Sequence, residues 1–323
     1  MERYATAPSE DPVVRALVRH GGVDGYRAAL PMPKNVQEVI DSAVVRVARD
    51  RLVLFSALQA AGLGVPLPNW LATLTLTSHK LGEAGAARRA MVPSRGERGI
   101  MQWTPYTIPI YLTWDQFGFN SRELAAAQQA GQPLDSIHAE QSTRNVNVGF
   151  EDALINGAVT VDGLTTPGLL STTTTETFET GTKWDDAGKT GEEILADTQT
   201  GMRALQVNGN FMGPYLVATS KDYGIKLGSD FKANGDRTIR ERLLAVDEVS
   251  QVVVADYFPD DTVVIMQLSR DVVDIQIGQM PAAVSVNPDQ AGWATDFYII
   301  GCAVPRVKSD ANNKFGICKM TPT

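Results

Sequence analysis

The sequence predicts an α+β protein, and three patterns along the chain support this fold class. Apolar residues recur at helical spacing within residues 136–156. Apolar and polar residues alternate at strand spacing within residues 71–80. Helical and strand patterns then follow one another through residues 157–270, which predicts one compact α+β unit.

Composition sets the first limits on function. The chain has 323 residues, of which 43% are hydrophobic and 20% charged, as expected for a folded globular protein. Its formal net charge of −8 argues against coating nucleic acid through clustered Lys and Arg. No apolar run reaches the roughly 20 residues that span a bilayer, and the N-terminus lacks the apolar core of a secretory signal. We therefore expect folding in a cytoplasm.

The cysteines and histidines do not form a metal-binding pattern. The two cysteines, Cys302 and Cys318, are not part of a CxxC motif, and a reducing compartment favours two buried thiols over a disulfide. The three histidines, His20, His79 and His138, lie in different segments and cannot form a zinc motif. The sequence predicts neither a metal nor a cofactor.

The first 70 residues are expected to contain an arm and a helix. Residues 1–35 are rich in Pro and Gly and predict an extended N-terminal arm without its own core. Residues 36–70 predict an N-terminal helix and a connector. The helix covers 36–51, because its apolar residues share one face: Val36, Val39, Ile40, Ala43 and Val47.

Residues 71–114 predict a long β-hairpin. Two strand-like runs, LATLTLTSHK and IMQWTPYTIPIYLTW, flank a tip with almost no large apolar residue. Such a hairpin is not stable alone in water, so it must lie against another surface. Its tip carries four arginines, Arg88, Arg89, Arg95 and Arg98. They could bind phosphate groups, but in an acidic protein we favour pairing with carboxylates of a neighbouring subunit.

Two helices follow the hairpin. Asn120 is a candidate cap for a short helix closed by Gly131, and Asp135 for a longer helix over 136–156. The longer helix would be about 30 Å long. Its apolar stripe lies near the C-terminal end, at Val146, Phe150, Ala153 and Leu154, and its N-terminal half is polar. This pattern suits a helix whose other faces meet neighbouring subunits.

The unit over 157–270 contains two further helices. Thr190 and Glu193 form a capping box for the first, and Asp236 opens the second. Strands are predicted at 215–218, 249–258 and 261–269, and closing strands at 272–278 and 293–307.

No pattern of catalytic residues emerges. The phrase AGKTGEE resembles the end of a phosphate-binding loop, but Lys183 stands where that loop needs its first glycine. No GxSxG motif occurs, and the acidic pairs lie at turns or helix starts. We therefore expect no enzyme.

Four phrases, in this order, resemble one protein family. They are WDQFGFNSRELAAAQQAGQPLD, GFEDALINGAVTVDGLTTPGLL, VVVADYFPDDTVVIMQLSRDVVDIQIG and FYIIGCAVPRVK. Together they resemble the major capsid proteins of tailed double-stranded-DNA bacteriophages and the related encapsulins. The second phrase is similar to the end of the family's long spine helix, with its acidic pair at Glu151 and Asp152 and its helix-ending glycine at Gly157.

The resemblance implies a fold with an N-terminal arm, an extended β-hairpin loop, a peripheral domain with the spine helix, and an axial domain. Residues 71–114 would be the extended loop and 158–270 the axial domain. The peripheral domain would be discontinuous, over 115–157 and 271–323.

The resemblance also implies self-assembly. Pentamers and hexamers would form an icosahedral shell around packaged viral DNA, bound without sequence specificity, in a virion assembled in the host cytoplasm. The interface would include Arg88, Arg89, Arg95 and Arg98 of the loop, and Glu151 and Asp152 of the spine helix. A portal, a scaffolding protein or a decoration protein are further candidate partners, and no membrane is expected. An encapsulin compartment holding a cargo enzyme is the alternative, followed by an unrelated α+β enzyme.

Overall fold

The computed structural model describes most of the chain after residue 51. The described residues are 52–81, 103–120, 137–160, 163–171, 173–178, 181–232, 235, 237–286, 294–309 and 314–322. The predicted arm, the helix over 36–51, the body of the short helix after Asn120 and the cap at Asp135 lie outside these residues.

The described helices are α1 (Val53–Ala60), α2 (Ile137–Asn156), α3 (Gly191–Gly209), α4 (Gly224–Leu227) and α5 (Ile239–Leu244), with short 3₁₀ turns at Leu169–Ser171 and Lys221–Tyr223. The strands are β1 (Gly64–Pro66), β2 (Thr75–Leu81), β3 (Trp103–Pro109), β4 (Thr113–Asn120), β5 (Gly157–Val159), β6 (Thr165–Pro167), β7 (Thr174–Thr177), β8 (Tyr215–Ser220), β9 (Val249–Ala255), β10 (Val263–Gln267), β11 (Val273–Val286), β12 (Ala294–Val307) and β13 (Ile317–Thr321). This mixture confirms the predicted α+β class.

One sheet has four strands in the order β1-β11-β12-β4. β1 runs parallel to β11, and the other two pairs are antiparallel. Register shifts between Ile277 and Ala282 interrupt the long β11–β12 pair, and such bulges bend a strand. α2 packs on β4 and β12, so it covers one face of this sheet.

The other large sheet has five strands in the order β7-β13-β10-β8-β9. Both of its faces are buried. Leu216 and Ala218 of β8 point into a core shared with α1 and the end of α2. Tyr215 and Val217 point into a second core with α3 and α5. Burial on both faces explains why the first four residues of β8, Tyr215–Ala218, are apolar or aromatic.

Helix α2 confirms the predicted long helix, but its environment differs from the prediction. Val146 and Phe150 are buried, as expected from the stripe. The polar residues Ser142 and Thr143 are buried as well, and the Thr143 hydroxyl donates to the carbonyl of Ala139 at 2.6 Å. Small side chains that bond to their own helix fit against the sheet. The N-terminal half therefore does not need a neighbouring subunit to cover it.

Helices α3 and α5 begin with capping boxes. The predicted box at Thr190 and Glu193 is confirmed, with both reciprocal hydrogen bonds present. The second helix is capped by Thr238 with Glu241, and not by Asp236 as predicted. Thr238 has the extended backbone that a cap needs, and its hydroxyl accepts the amide of Glu241.

Three further features correct the sequence analysis. Helix α1 was not predicted. The strand-like run over 100–114 is broken after β3, and a new strand, β4, starts at Thr113 in a different sheet. The stretch 271–323 was predicted to close the peripheral domain, but its last strand, β13, pairs with β10 and β7 in the five-stranded sheet.

Candidate assembly interface

Strands β2 and β3 form the base of the predicted extended loop. They pair antiparallel, with Thr75 opposite Pro109, which confirms a hairpin here. Ile108 is buried against Ala153 of the spine helix α2. The Thr166 hydroxyl donates to the carbonyl of Pro109 at 3.1 Å. The sequence suggests no partner for the hairpin within the chain, but its base is fixed to α2 and to β6.

The four loop arginines lie beyond this base. Arg88, Arg89, Arg95 and Arg98 fall between residues 82 and 102, outside the described residues. Their predicted contact with a neighbouring subunit stays a prediction.

Glu151 lies inside the chain and not on the predicted interface. Its side chain is 1% exposed. Its Oε1 accepts the backbone N–H of Leu54 at 2.7 Å, so the carboxyl of α2 serves as the N-terminal cap of α1. A basic group of a neighbouring subunit cannot reach a carboxyl buried in this way, and the predicted intersubunit role of Glu151 is therefore wrong.

The surroundings of Glu151 change its acidity. Burial raises the pKa of its carboxyl to about 7, opposed by hydrogen bonds from the amides of Val53, Leu54 and Phe55. The negative charge of Asp256 adds to the rise. A carboxyl that titrates near neutrality is thus located at the contact between α1 and α2.

Asp152, the next residue along α2, is exposed where Glu151 is buried. Its side chain is exposed, and its Oδ1 accepts a hydrogen bond from the Asn156 amide at 2.7 Å. Its carboxylate is open to solvent in the single chain, and its predicted contact with a neighbouring subunit stays a prediction.

The backbones of two glycines, Gly157 and Gly168, lie close together where the chain leaves α2. Gly157 ends the helix with φ +89°, a conformation that favours glycine. A Cβ on Gly157 would lie 2.5 Å from the carbonyl oxygen of Thr166, and one on Gly168 would lie 2.1 Å from the nitrogen of Gly157. The short hairpin of β5 and β6 can therefore fold back on the helix end only because both residues lack side chains.

Lys189, the lysine of the phosphate-loop-like phrase, is buried. Its Nζ lies 2.8 Å from Asp197, and both side chains are fully buried. Asp197 also accepts the indole N–H of Trp184 at 2.9 Å. A lysine enclosed in this way cannot hold a phosphate of a bound nucleotide. Among the described residues, no group of three or more His, Cys, Asp or Glu side chains could hold a metal ion.

A second buried charge network joins β11 to β12. Asp274 of β11 pairs with Arg306 of β12, whose Nε lies 2.9 Å from Oδ1. Lys308 and Gln276 each approach the same carboxylate at 2.8 Å. Burial would raise the pKa of Asp274, but the hydrogen bonds from Arg306, Lys308 and Gln276 outweigh it and lower that pKa. The three donors hold this carboxylate ionised.

Several large apolar side chains are exposed on the surface of the single chain. Ile225 is 89% exposed, Val159 and Val207 are each 73% exposed, and Leu74 is 64% exposed. Leu74 adjoins the base of the hairpin, since its carbonyl accepts the amide of Ile110 at 3.0 Å. These four side chains lie in different segments of the chain, and single exposed apolar side chains are common on protein surfaces.

Comparison with solved structures identifies the fold. A virus-like particle from Pyrococcus furiosus is 16% identical, with a TM-score of 0.62 over 88% of this chain and 98% of that chain. The capsid of Myoviridae phage XM1 is 15% identical, with a TM-score of 0.55 over 78% and 86%. The capsid of a native GTA particle is 13% identical, with a TM-score of 0.56 over 82% and 89%. The chain therefore has the fold of phage capsid proteins, which confirms the fold predicted from the resemblance.

Sequence comparison identifies the family. Residues 80–320 match the model of a family of unknown function, DUF6260, and the chain belongs to that family. A search of curated proteins gives no match.

Proposed function

We propose that the chain is the structural major capsid protein of a tailed double-stranded-DNA bacteriophage. Copies would assemble through hexamers and pentamers into an icosahedral shell around the genome. The observation that carries the proposal is the likeness in fold to three shell proteins, over 86–98% of their own lengths. A likeness over nearly the whole chain supports a shared mode of assembly more strongly than a shared single domain would.

In this proposal, apolar side chains that are exposed on the single chain are covered in the shell. Ile225, Val159, Val207 and Leu74 expose apolar area that contact with neighbouring copies would cover. Head-to-tail contacts that close into rings would bury such patches in pentamers and hexamers.

We assign the parts of the chain as the resemblance implies. Residues 1–35 would be the N-terminal arm, 36–70 the N-terminal helix with its connector, and 71–114 the extended loop. The peripheral domain would comprise 115–157 with 271–323, and the axial domain 158–270. Strand β13, at the end of 271–323, extends the five-stranded sheet of the axial unit, because this strand pairs with β10.

The contacts between copies would be electrostatic as well as apolar. In this proposal, Arg88, Arg89, Arg95 and Arg98 of one copy lie over the spine helix of the next. The exposed carboxylate of Asp152 is a suitable partner for a guanidinium group. Contacts of this kind fix the register of two subunits more than they add affinity.

The proposal includes the other partners expected of a capsid. Packaged DNA would be held without sequence-specific contacts, and a portal, a scaffolding protein or a decoration protein would join the same shell in the virion. Assembly would take place in the host cytoplasm. We propose no catalytic activity and no cofactor for this chain. No helix among the described residues is long and apolar enough to cross a membrane.

A second candidate is an encapsulin compartment that encloses a cargo enzyme. The match to a virus-like particle favours it, because this match combines a TM-score of 0.62 with coverage of 98% of that particle's chain. The two candidates differ in what the shell contains and not in how it is built.

Light scattering with analysis of particle content tests both candidates. The wild-type chain should form particles far heavier than its 34.9 kDa subunit. Packaged double-stranded DNA in particles from infected or induced cells supports the capsid, and a co-purifying enzyme supports the compartment. A stable population of monomers or dimers under native salt conditions would refute both.

Substitution of the four loop arginines tests the proposed arginine contact separately. Replacing Arg88, Arg89, Arg95 and Arg98 together with Ala should lower the yield and stability of particles. A matched set of Arg→Lys changes keeps the charge and should retain part of the assembly. Unchanged assembly of the Ala set would refute the proposed interface.

A further inference from the structure

Glu151 joins two helices that are distant in sequence. Helix α1 has no side-chain cap of its own, because its N-cap residue is Leu52, whose apolar side chain cannot accept a hydrogen bond. The free amides of its first turn instead face the Glu151 carboxyl, and the amide of Leu54 donates to Oε1 at 2.7 Å across 97 residues of sequence. A carboxyl on the spine helix thus completes the start of α1.

The second carboxyl oxygen of Glu151 is left without a partner. Oε2 is buried, and none of the described residues donates a hydrogen bond to it. The surroundings are apolar, since Phe150, Leu154 and Phe55 all belong to the same core. An ionised carboxylate with one oxygen unsatisfied in such a core is costly, whereas a neutral carboxyl is less so.

The elements around Glu151 bring little charge to balance it. Helix α1, with the sequence VLFSALQA, has no charged side chain, and neither does the turn Leu169–Ser171. Asp256, just after β9, is negative and disfavours the ionised carboxyl. Asp152, the neighbour of Glu151 on α2, is exposed to solvent. Among the described residues, the amides of α1 and the positive end of its dipole favour ionisation.

We propose that Glu151 is a proton-operated lock between the spine helix and α1. The protonated carboxyl holds α1 against α2, and loss of the proton loosens this joint. The step is one proton transfer between the carboxyl and water, without any other change in bonding. Opening of α1 would expose its buried residues Leu54, Phe55 and Leu58, so protonation would control how firmly α1 is held in the shared core.

The sign of the effect follows from linkage. The pKa of Glu151 is about 7 in the folded chain, against an ordinary value of 4.5 when the carboxyl is exposed to water. Between pH 4.5 and pH 7, the Glu151 carboxyl is mostly protonated in the closed state and mostly ionised in the open state. The equilibrium therefore favours the closed state most strongly below pH 4.5. This preference decreases as the pH rises from 4.5 to about 7 and is constant above that. The closed-to-open ratio should fall by about 30-fold between pH 5.5 and pH 8.

Hydrogen exchange over residues 53–60 tests the lock. After correction for intrinsic exchange, the amides of α1 should open about 30-fold more often at pH 8 than at pH 5.5. Glu151→Gln should abolish this dependence, because glutamine does not titrate. Asp185→Asn, which changes an exposed carboxyl outside α1 and α2, is the control and should retain the wild-type dependence.

A third variant protects the test against misfolding of Glu151→Gln. Asp256→Asn removes the like charge and should move the midpoint of the pH dependence downward. Equal protection of α1 at both pH values in the wild-type chain would overturn the proposal, as would an unchanged profile in Glu151→Gln. The lock belongs to a single chain, so this outcome is independent of whether the chain forms a shell.

Discussion

Gly168 offers a sharp test of how the chain leaves the spine helix. A Cβ at this position would lie 2.1 Å from the nitrogen of Gly157, 2.5 Å from the carbonyl oxygen of Ile155 and 2.6 Å from the carbonyl carbon of Asn156. Ordinary contact for a Cβ begins at 3.4 Å. All three neighbouring atoms belong to the backbone, so no side chain can rotate away. Gly168→Ala must therefore separate the helix end from β6.

The loss of stability in Gly168→Ala can be compared with that of Ala at Gly163, a glycine with open space around it. Moving the two backbones apart breaks the pairing of β5 with β6 and unpacks the buried Leu169. We expect Gly168→Ala to lower the free energy of unfolding by about 3–5 kcal/mol. Gly163 has φ +78°, and a Cβ added there would have no atom within 4 Å. Gly163→Ala should cost only the backbone term, about 1–2 kcal/mol.

Urea unfolding of dissociated subunits measures the difference. Tryptophan fluorescence, to which the buried Trp184 contributes together with the other four tryptophans, follows unfolding, and the midpoint at constant slope gives the change in stability. Gly168→Ala should unfold at clearly lower urea than Gly163→Ala. Equal midpoints for the two variants would show that the close contact does not exist in solution.

Three further changes test the buried network and the caps. Lys189→Met should cost about 3–5 kcal/mol, because it leaves Asp197 charged and unbalanced in the core, and thermal unfolding should show it. Restored stability in Lys189→Met combined with Asp197→Leu would confirm that cause. Thr190→Ala removes the cap of α3 and should cost about 1 kcal/mol in the same assay, and no change would contradict the capping box. Because the pKa of Asp274 is lowered, its contribution is present above 3.8 and is lost as the pH falls through the folded value. Asp274→Asn should therefore be less stable than wild type at pH 7 and lose less stability in acid, and parallel acid profiles would argue against the network.

Local patterns predicted the elements whose determinants are local. The stripe of Val146 and Phe150 predicted α2, which ends at Asn156 as expected. The TxxE pattern at Thr190 predicted the start of α3 correctly, because a capping box is complete within four residues. In both cases the information lies within a few turns of one helix.

Elements that depend on distant partners were missed. Helix α1 begins at an apolar residue without a local cap, and its cap comes from Glu151. The apolar run before the break at Gly62 was a usable signal for a helix, but nothing near it reveals the capping carboxyl. Strand β13 belongs to the five-stranded sheet because it pairs with β10, a choice that no local pattern determines.

In the candidate interface, too, sequence alone could identify the acidic residues but not their surroundings. The acidic pair of Glu151 and Asp152 looks uniform in sequence, yet one residue is buried and the other exposed. Adjacent residues on a helix point about 100° apart, so one can cap α1 while the other faces solvent. Family resemblance marked the pair as notable, but only the packing of α1 separates their roles.

Cryo-electron microscopy of particles formed by the wild-type chain tests the central claim most directly. We expect closed icosahedral shells with five-fold and six-fold clusters of subunits. In the map, the hairpin of β2 and β3 should extend over the α2 helix of a neighbouring copy, with Asp152 at or near that contact. A preparation of dispersed monomers, or an assembly in which the hairpin touches only its own chain, would refute this mode of assembly.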